Sequence, residues 1–458
     1  MFIRIWRQWR RFIVEAVRRN ALRGGKRARL SSFRPRLEAL EERAVPATIG
    51  DVFYIEMENH NLTPSVVVGG GTFPIQQLLR NAAAPYLNSL MTPGNPNAAQ
   101  SAYASNYLSV GAMVHPSEPN YVWQEGGNNF GVNNDLDPYT NNGSTNQNLN
   151  NTVKLIAATG NNPASLSALL QAHFGTAGWK SYQEDMEFTN LSVPTISATG
   201  ALPLGVTNPY NGSNQFNFSP KHDGALFFTA TNGGTLSGPG PADGTNTEAQ
   251  FYAPLAQLAT DLTNNTVAKY TLISPDNFND MHSGLTAGYT YHNFLYTGDQ
   301  AAVAQGDNFL SIIIPQIMAS QAYKNNGAIV IWIDESEGTD SDDAYHTLTE
   351  IVISPLAKGN AYASGVEMNH SSDIKTMEEI FQLGSLLNNP IPASETYGGA
   401  TSQTVAGAND LSDLFIAGTI PTSVPEPMGV AWIGFGALVL MARRPNRVKG
   451  VTTQYGVL

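Results

Sequence analysis

The sequence contains no cysteine. That excludes disulfides, thiolate zinc sites, iron–sulfur clusters and a cysteine nucleophile, and leaves oxygen and imidazole as ligands for any metal. Charge is sparse, with 14% charged against 42% hydrophobic residues, so a chain disordered throughout is excluded as well. Basic residues are scarcest where a nucleic-acid binder would need them. Residues 44–442 hold 8 Lys and Arg against 33 Asp and Glu, about −25, and nothing there would neutralise a phosphate backbone. A phosphate-cradling G-x-x-x-x-G-K-[ST] loop is also missing, since Gly69-Gly70-Gly71 is followed by no Lys. An acidic body of 458 residues is long enough for a full core and suits hard-cation sites built from carboxylate and amide oxygens.

The basic residues gather at the two ends. Residues 1–43 carry 13 Lys and Arg with 4 acidic residues, and residues 443–458 carry 4 with none. MFIRIWRQWRRFIVEAVRRN has arginines every three or four positions and could form a basic amphipathic helix. The following RPRLEALEERAVPAT resembles the LE-x-LE-x-R-x-x-P segment of exported planctomycete proteins. At the other end, Pro425-Glu426-Pro427 precedes the 15-residue apolar run Met428–Ala442 and then Arg443, Arg444 and Arg447. A bilayer takes about 20 residues to cross comfortably, and basic residues stay on the cytoplasmic side. The order resembles the PEP-CTERM sorting tail of Gram-negative bacteria. That resemblance implies recognition by an exosortase-type sorting machinery, transient membrane anchoring through the C-terminal helix, and export to the cell surface or beyond. The expected division is a leader over 1–47, a catalytic or binding domain over 48–416, a linker over 417–424 and a tail over 425–458.

Within the body, short apolar runs end in polar residues. DVFYIEMENH (51–60), AKYTLISPDNFNDMH (268–282), GAIVIWIDESEG (327–338) and EIVISPLAKG (350–359) read as strands buried on both faces, the mark of a mostly parallel sheet. FLSIIIPQIMASQAYKN (309–325) and SSDIKTMEEIFQLGSLL (371–387) read as helices. The alternation predicts an α/β doubly wound sheet with helices on both faces. Long Asn-, Gly- and Ser-rich loops cover 126–151 and 198–247, and loops of that length are usually functional.

Ligands in such a sheet bind beyond the carboxyl ends of the strands. Glu58, Asn59, Asp334 and Glu335 stand there and could converge as a hard-cation shell, although a lone strand-end carboxylate serves equally well as a helix cap or surface charge. His115, His222, His282 and His370 sit in loop-like sequence beside Pro, Asn, Asp or Ser, where a histidine can act as a general acid. His173, in SALLQAHF, reads as structural.

Ordered segments across about 52–416 then carry a closer resemblance. FYIEMENH, HPSEPNYVWQEGGNNFG, WKSYQEDM, SPKHDGALFF, GAIVIWIDESEG and NHSSDIKTMEEIF occur in the order found in a phosphoesterase family that includes acid phosphatases and phospholipase C enzymes. Its members are distant relatives of the alkaline phosphatases, so the resemblance implies an alkaline-phosphatase-like core and a phosphate mono- or diester substrate. It also implies a divalent metal held by Glu58, Asn59, Asp334 and Glu335. Asp280, His282, His115 and His370 would line the phosphate pocket, with His222 a weaker counterpart.

One position departs from the pattern. Where the family is expected to carry a Ser or Thr nucleophile, this chain has Asn128, with Asn129 the adjacent choice. An amide is not a competent nucleophile. Three alternatives stand open: direct attack by water, a hydroxyl from Ser144 or Thr145 reaching in from the following loop, or a surface-anchored binding protein that turns nothing over.

Overall fold

The computed structural model describes residues 47–62, 78–109, 116–130, 165–186, 218–232, 247–336, 347–383 and 405–421, with the single positions 132, 135, 208, 210 and 212. The expected leader up to position 46 and the expected tail from position 425 lie outside these residues. Among the described residues no helix is long and apolar enough to cross a membrane.

Strands, in chain order, are β1 Val52–Met57, β2 Ser101–Ala104, β3 Trp179–Gln183, β4 Tyr252–Pro254, β5 Tyr270–Ser274, β6 Tyr289–Tyr291, β7 Phe294–Tyr296, β8 Ala328–Ile333, β9 Glu350–Ile353 and β10 Tyr362–Ser364. The principal helices are α1 Pro85–Leu90, α2 Glu118–Gly126, α3 Leu166–Phe174, α4 Ala256–Asn264, α5 Asp299–Ala319 and α6 His370–Phe381. Eight strands form one sheet in the order β10-β2-β9-β8-β1-β5-β3-β4, and β6 and β7 form a separate hairpin.

At the centre lie β8, β1 and β5, and every residue in them is buried. They pair in parallel, with Val52 opposite both Ala328 and Tyr270. Alternate side chains enter opposite layers, as a pleated strand requires. Val52, Tyr54, Val330 and Trp332 pack with Leu166 and Leu170 of α3 and Ile374 and Met377 of α6. Phe53, Ile55, Ile329 and Ile331 pack with Leu87 of α1, Leu258 of α4 and Ile313 and Ile317 of α5. Helices therefore cover both faces, and the mostly parallel, doubly wound α/β reading holds.

Some elements differ from expectation. β9 runs antiparallel to both β8 and β2. Its EIVI run is buried throughout, as a central strand should be, but burial on two faces carries no information about direction. The helix expected over 309–325 starts ten residues earlier, at Asp299. It stops at Ala319 because Ser320 turns extended and its side chain accepts a hydrogen bond from the Tyr323 N–H, opening a new short turn. The helix expected over 371–387 opens at His370 and ends at Phe381, with Gln382 in a left-handed cap, and 384–387 lie outside the described residues.

Asp307 ties two layers together. Its Oδ1 accepts from the Leu87 N–H (2.7 Å), and its Oδ2 accepts from the Tyr86 N–H (2.9 Å) and the Tyr291 hydroxyl (3.1 Å). Burial pushes this carboxyl up to about 7. The folded chain thus holds a proton there at pH values where the unfolded chain has lost it, so this contribution favours folding at low pH and fades as pH rises through about 7. Thermal unfolding followed from pH 7.5 down to 5 should show stability rising on acidification. Asp307→Asn, which keeps one acceptor oxygen, should flatten that part of the slope.

Candidate metal centre and active site

The parallel register of β1 and β8 ends with Met57 opposite Ile333, so the next residues, Glu58 and Asp334, emerge side by side. The chain turns sharply at Asn59 (φ 55°), a left-handed conformation that Asn tolerates better than most residues. Its N–H donates to Asp334 Oδ1 at 3.0 Å. From β5, the Asp280 carbonyl accepts the Glu58 N–H at 2.8 Å, which brings the third strand end to the same place.

Helix α2 supplies the fourth wall. Pro119 stands in its first turn, where a missing N–H costs nothing. Ser117, Asn120 and Tyr121 are three and four residues apart and share a face. The Tyr121 hydroxyl donates to Glu58 Oε1 (3.1 Å), the Asn120 amide donates to Glu335 Oε2 (3.2 Å), and Ser117 Oγ lies 3.1 Å from Glu335 Oε1 and 3.4 Å from Glu58 Oε2. None of these three was singled out from sequence. The spacing of Ser, Asn and Tyr in the PSEPNY segment that holds them is the signal that would have placed them on one helix face.

His222 closes the site. It ends a single turn, Pro220–His222. The next residue, Asp223, fastens this turn to β3 by accepting from Ser181 Oγ (2.8 Å) and Gln183 Nε2 (3.1 Å). The imidazole stacks on Tyr121, with centroids 4.9 Å apart and planes 11° apart. Its Nε2 lies 2.7 Å from Glu58 Oε1 and its Nδ1 3.7 Å from Asp280 Oδ2. Glu58, His222 and Asp280 each offer a ligand atom within 4.8 Å of the others, and all three are buried.

Several buried atoms here have no hydrogen-bond partner: His222 Nδ1, Asp280 Oδ2, Asp334 Oδ2 and Asn59 Oδ1. Leaving a buried polar atom unpaired costs about 1–3 kcal/mol, so orphans at and beside the Glu58, His222 and Asp280 cluster call for a ligand. Oxygens from Glu58, Asn59, Asp280 and Asp334, with the His222 imidazole, are the donor types that suit a divalent cation. The charges agree. Burial alone would raise Glu58, yet His222, together with His282 and Lys221, holds it down at about 2 and thus ionised. Burial pushes Asp280 and Asp334 well above the carboxylate range, and the Glu58 charge adds to both shifts. Burial depresses His222, against the pull of Glu58.

The remaining expected residues fall in different places. His282 is exposed beside the cluster; its N–H donates to Asp280 Oδ1 (2.6 Å), and its ring Nδ1 lies 3.0 Å from Ser283 Oγ. His370 is not in a loop but is the first residue of α6, capped by Asn369. Trp332 Nε1, which can only donate, lies 3.0 Å from its Nδ1, so Nε2 carries the proton and donates to the Asp334 carbonyl at 2.7 Å. Burial pushes this imidazole down to about 3. Asn128 is buried just past the left-handed cap of α2 at Gly127, and its Oδ1 accepts the Phe130 N–H at 2.7 Å. Asn129 donates to the Val132 carbonyl. His173 is exposed in the last turn of α3. His115, Ser144 and Thr145 lie outside the described residues.

Comparison with known proteins adds three findings. A family model described as the Phosphoesterase family matches residues 97–384. No curated protein matches the sequence. Among solved structures, the chain is similar to the lipoteichoic acid synthase LtaP of Listeria monocytogenes, at 11% identity and a TM-score of 0.39, covering 80% of this chain and 77% of that one. It is similar to an alkaline phosphatase superfamily protein of Vibrio parahaemolyticus, at 11% identity and a TM-score of 0.39, covering 74% and 67%. A further similarity is to the soluble domain of lipooligosaccharide phosphoethanolamine transferase A of Neisseria meningitidis, at 11% identity and a TM-score of 0.33, covering 73% and 89%.

Proposed function

This chain belongs to the Phosphoesterase family, and from that membership we propose that it is an exported, metal-dependent hydrolase of phosphate mono- or diesters. The observation that carries the reading is the set of unpartnered ligand atoms on Asn59, His222, Asp280 and Asp334 gathered around the ionised Glu58. Glu58, Asn59, Asp334 and Glu335, joined by His222 and Asp280, would hold the ion. A divalent cation bound there supplies positive charge to a phosphoryl oxygen. Ser117, Asn120 and Tyr121 hold the carboxylates in place through their hydrogen bonds. Lys221, 2.6 Å from Asp135 Oδ2 and close enough to Glu58 to stabilise its charge, adds a cation near the substrate phosphate. His282, exposed beside Asp280, is the residue placed to protonate the leaving oxygen. His370 acts from behind by fixing the Asp334 carbonyl. The attacking group is water.

The test is turnover of p-nitrophenyl phosphate, its bis-ester and a phospholipid by the full chain, with chelator and with added divalent metal. Metal binding without turnover on any of them would overturn the hydrolase reading. The second reading, a surface-anchored binding protein, is favoured by Asn128 and its engaged Oδ1, and one substitution separates the two. If water is the native attacker, Asn128→Thr leaves the rate unchanged or lowers it, because the new hydroxyl replaces an oxygen that caps Phe130. A large gain in rate would mean that a nucleophile had been lost from an intact site.

A further inference from the structure

A second group of carboxylates stands one strand further along the same sheet edge. β3 ends at Gln183 and is followed by Glu184 and Asp185; β5 ends at Ser274 and is followed closely by Asp276. These three carboxylates are buried, and each offers an oxygen within 4.8 Å of the others. None of them takes part in the first centre. The backbone locks the two strand ends together, with the Glu184 N–H donating to the Ser274 carbonyl (2.9 Å) and the Asp276 N–H donating to Glu184 Oε2 (3.0 Å).

Acidic residues that meet in a fold are not by themselves a binding site. Here the satisfied and unsatisfied atoms separate cleanly. Glu184 Oε1 accepts from the side-chain amides of Asn208 and Asn279, each at 2.8 Å. Asp276 Oδ1 accepts from the Phe278 N–H (3.0 Å) and the Asn279 N–H (2.8 Å). The other oxygen of Asp276, Oδ2, is buried without a partner, and so are Asn279 Oδ1 and Asn277 Oδ1. Asp276 and Asn279 are both 0% exposed. The Asn279 amide is held against the cluster by its own bond to Glu184, so its unpaired oxygen lies beside the carboxylates. Among the described residues no Lys, Arg or His pairs with Glu184 or Asp276. Three buried carboxylates meet here, the Asp276 Oδ2 and Asn279 Oδ1 acceptors have no donor, and no cationic side chain among the described residues pairs with Glu184 or Asp276; a metal cation supplies the missing charge and engages the empty acceptors.

We propose that Glu184, Asp185 and Asp276, with the amide oxygen of Asn279, form a second cation site, selective for calcium. The available donors are all oxygen, without imidazole or thiolate, which disfavours zinc and the later transition metals. Calcium accepts irregular sets of carboxylate and amide oxygens, whereas magnesium demands near-octahedral geometry and retains water. The site differs in this respect from the first centre, where His222 contributes nitrogen. Calcium here fastens the turn from Asp276 to Asp280, whose last residue belongs to the first centre and whose backbone is already tied by the Asp280 N–H to the Asp276 carbonyl (2.9 Å).

The test uses the full chain stripped with chelator. Calcium should raise its unfolding temperature by several degrees. The shift should survive in Glu58→Gln, which alters only the first centre, and be lost in Asp276→Asn. Asn at 276 keeps an oxygen for the Phe278 and Asn279 N–H groups, so this variant should fold and, without calcium, be at least as stable as the unaltered chain. Equilibrium dialysis with the first centre saturated by zinc should find one further calcium per chain, absent in Asp276→Asn. Loss of the shift in Glu58→Gln, its persistence in Asp276→Asn, or no calcium bound beside zinc would each overturn the proposal without touching the hydrolase reading.

Discussion

Glu58→Gln is expected to lower phosphate-ester turnover about a thousand-fold or more and to strip the first centre of its divalent ion. Three arguments converge on this residue. Of Glu58, Asp280 and Asp334 it is the one held low, at about 2, despite complete burial, and so it supplies standing negative charge to the centre. It is also the point where the elements meet, touching Tyr121 and Ser117 from α2 and His222 from its turn. Finally, gathering charge on a transferring phosphoryl group is worth several kcal/mol, and each 1.36 kcal/mol is about tenfold in rate. Gln keeps the shape and an oxygen for the Tyr121 hydroxyl, so the fold should survive and the loss should be chemical. Metal content per chain and kcat, measured on the same preparation, check the two halves together. Activity within tenfold of the unaltered chain would remove Glu58 from the centre.

Some of this site was legible in the sequence, and the reason is physical. VFYIEM, YTLIS and AIVIWI are the strands buried on both faces at the middle of the sheet, so each is a mostly apolar run followed by polar residues. A strand that announces its own end also announces what stands there, and Glu58 and Asp334 were therefore readable as neighbours although 276 positions separate them, whereas Asp280, six residues past β5, entered only through the family resemblance. WKSYQ was not readable in this way. Its Lys180 pairs with Asp261, and its Ser181 and Gln183 hydrogen-bond to Asp223, so the polar groups that let β3 lie near the sheet edge also hide it as a strand. With the strand hidden, the Glu184-Asp185 pair at its end had no position. The direction of β9 was hidden for another reason, since the packing of EIVI is the same whichever way the strand runs. His370 shows what context adds to a residue type. Asn-His-Ser-Ser reads as a polar loop, but Asn369 and Ser372 cap each other reciprocally, and the histidine becomes the first residue of a helix packed behind Asp334.

The second large effect is expected from a residue with no functional group. Gly224 lies two positions after His222 and packs directly on helix α2. A Cβ built on it would sit 2.2 Å from the Tyr121 carbonyl oxygen, 2.9 Å from the Tyr121 carbonyl carbon and 3.1 Å from Glu125 Cγ. The first two are backbone atoms in the middle of a buried helix and cannot rotate away. In Gly224→Ala the turn must therefore move off the helix by an ångström or more. That motion separates His222 from the Tyr121 ring it stacks on and from the Glu58 oxygen 2.7 Å away. Overpacking of this kind costs about 1–3 kcal/mol of stability. A shift of about 1 Å in a catalytic constellation can cost about 100-fold in rate. Gly224→Ala should thus lower the unfolding temperature and reduce kcat about 100-fold, while Ala at Gly94, where a Cβ would meet nothing within 4 Å, leaves kcat unchanged. Gly94 has φ +83°, so that control should lose some stability through backbone strain alone and separates a general weakening of the fold from displacement of His222. If Gly224→Ala lost stability yet kept its rate, His222 would have no part in holding the centre, and the ligand set would contract to the residues following β1, β5 and β8.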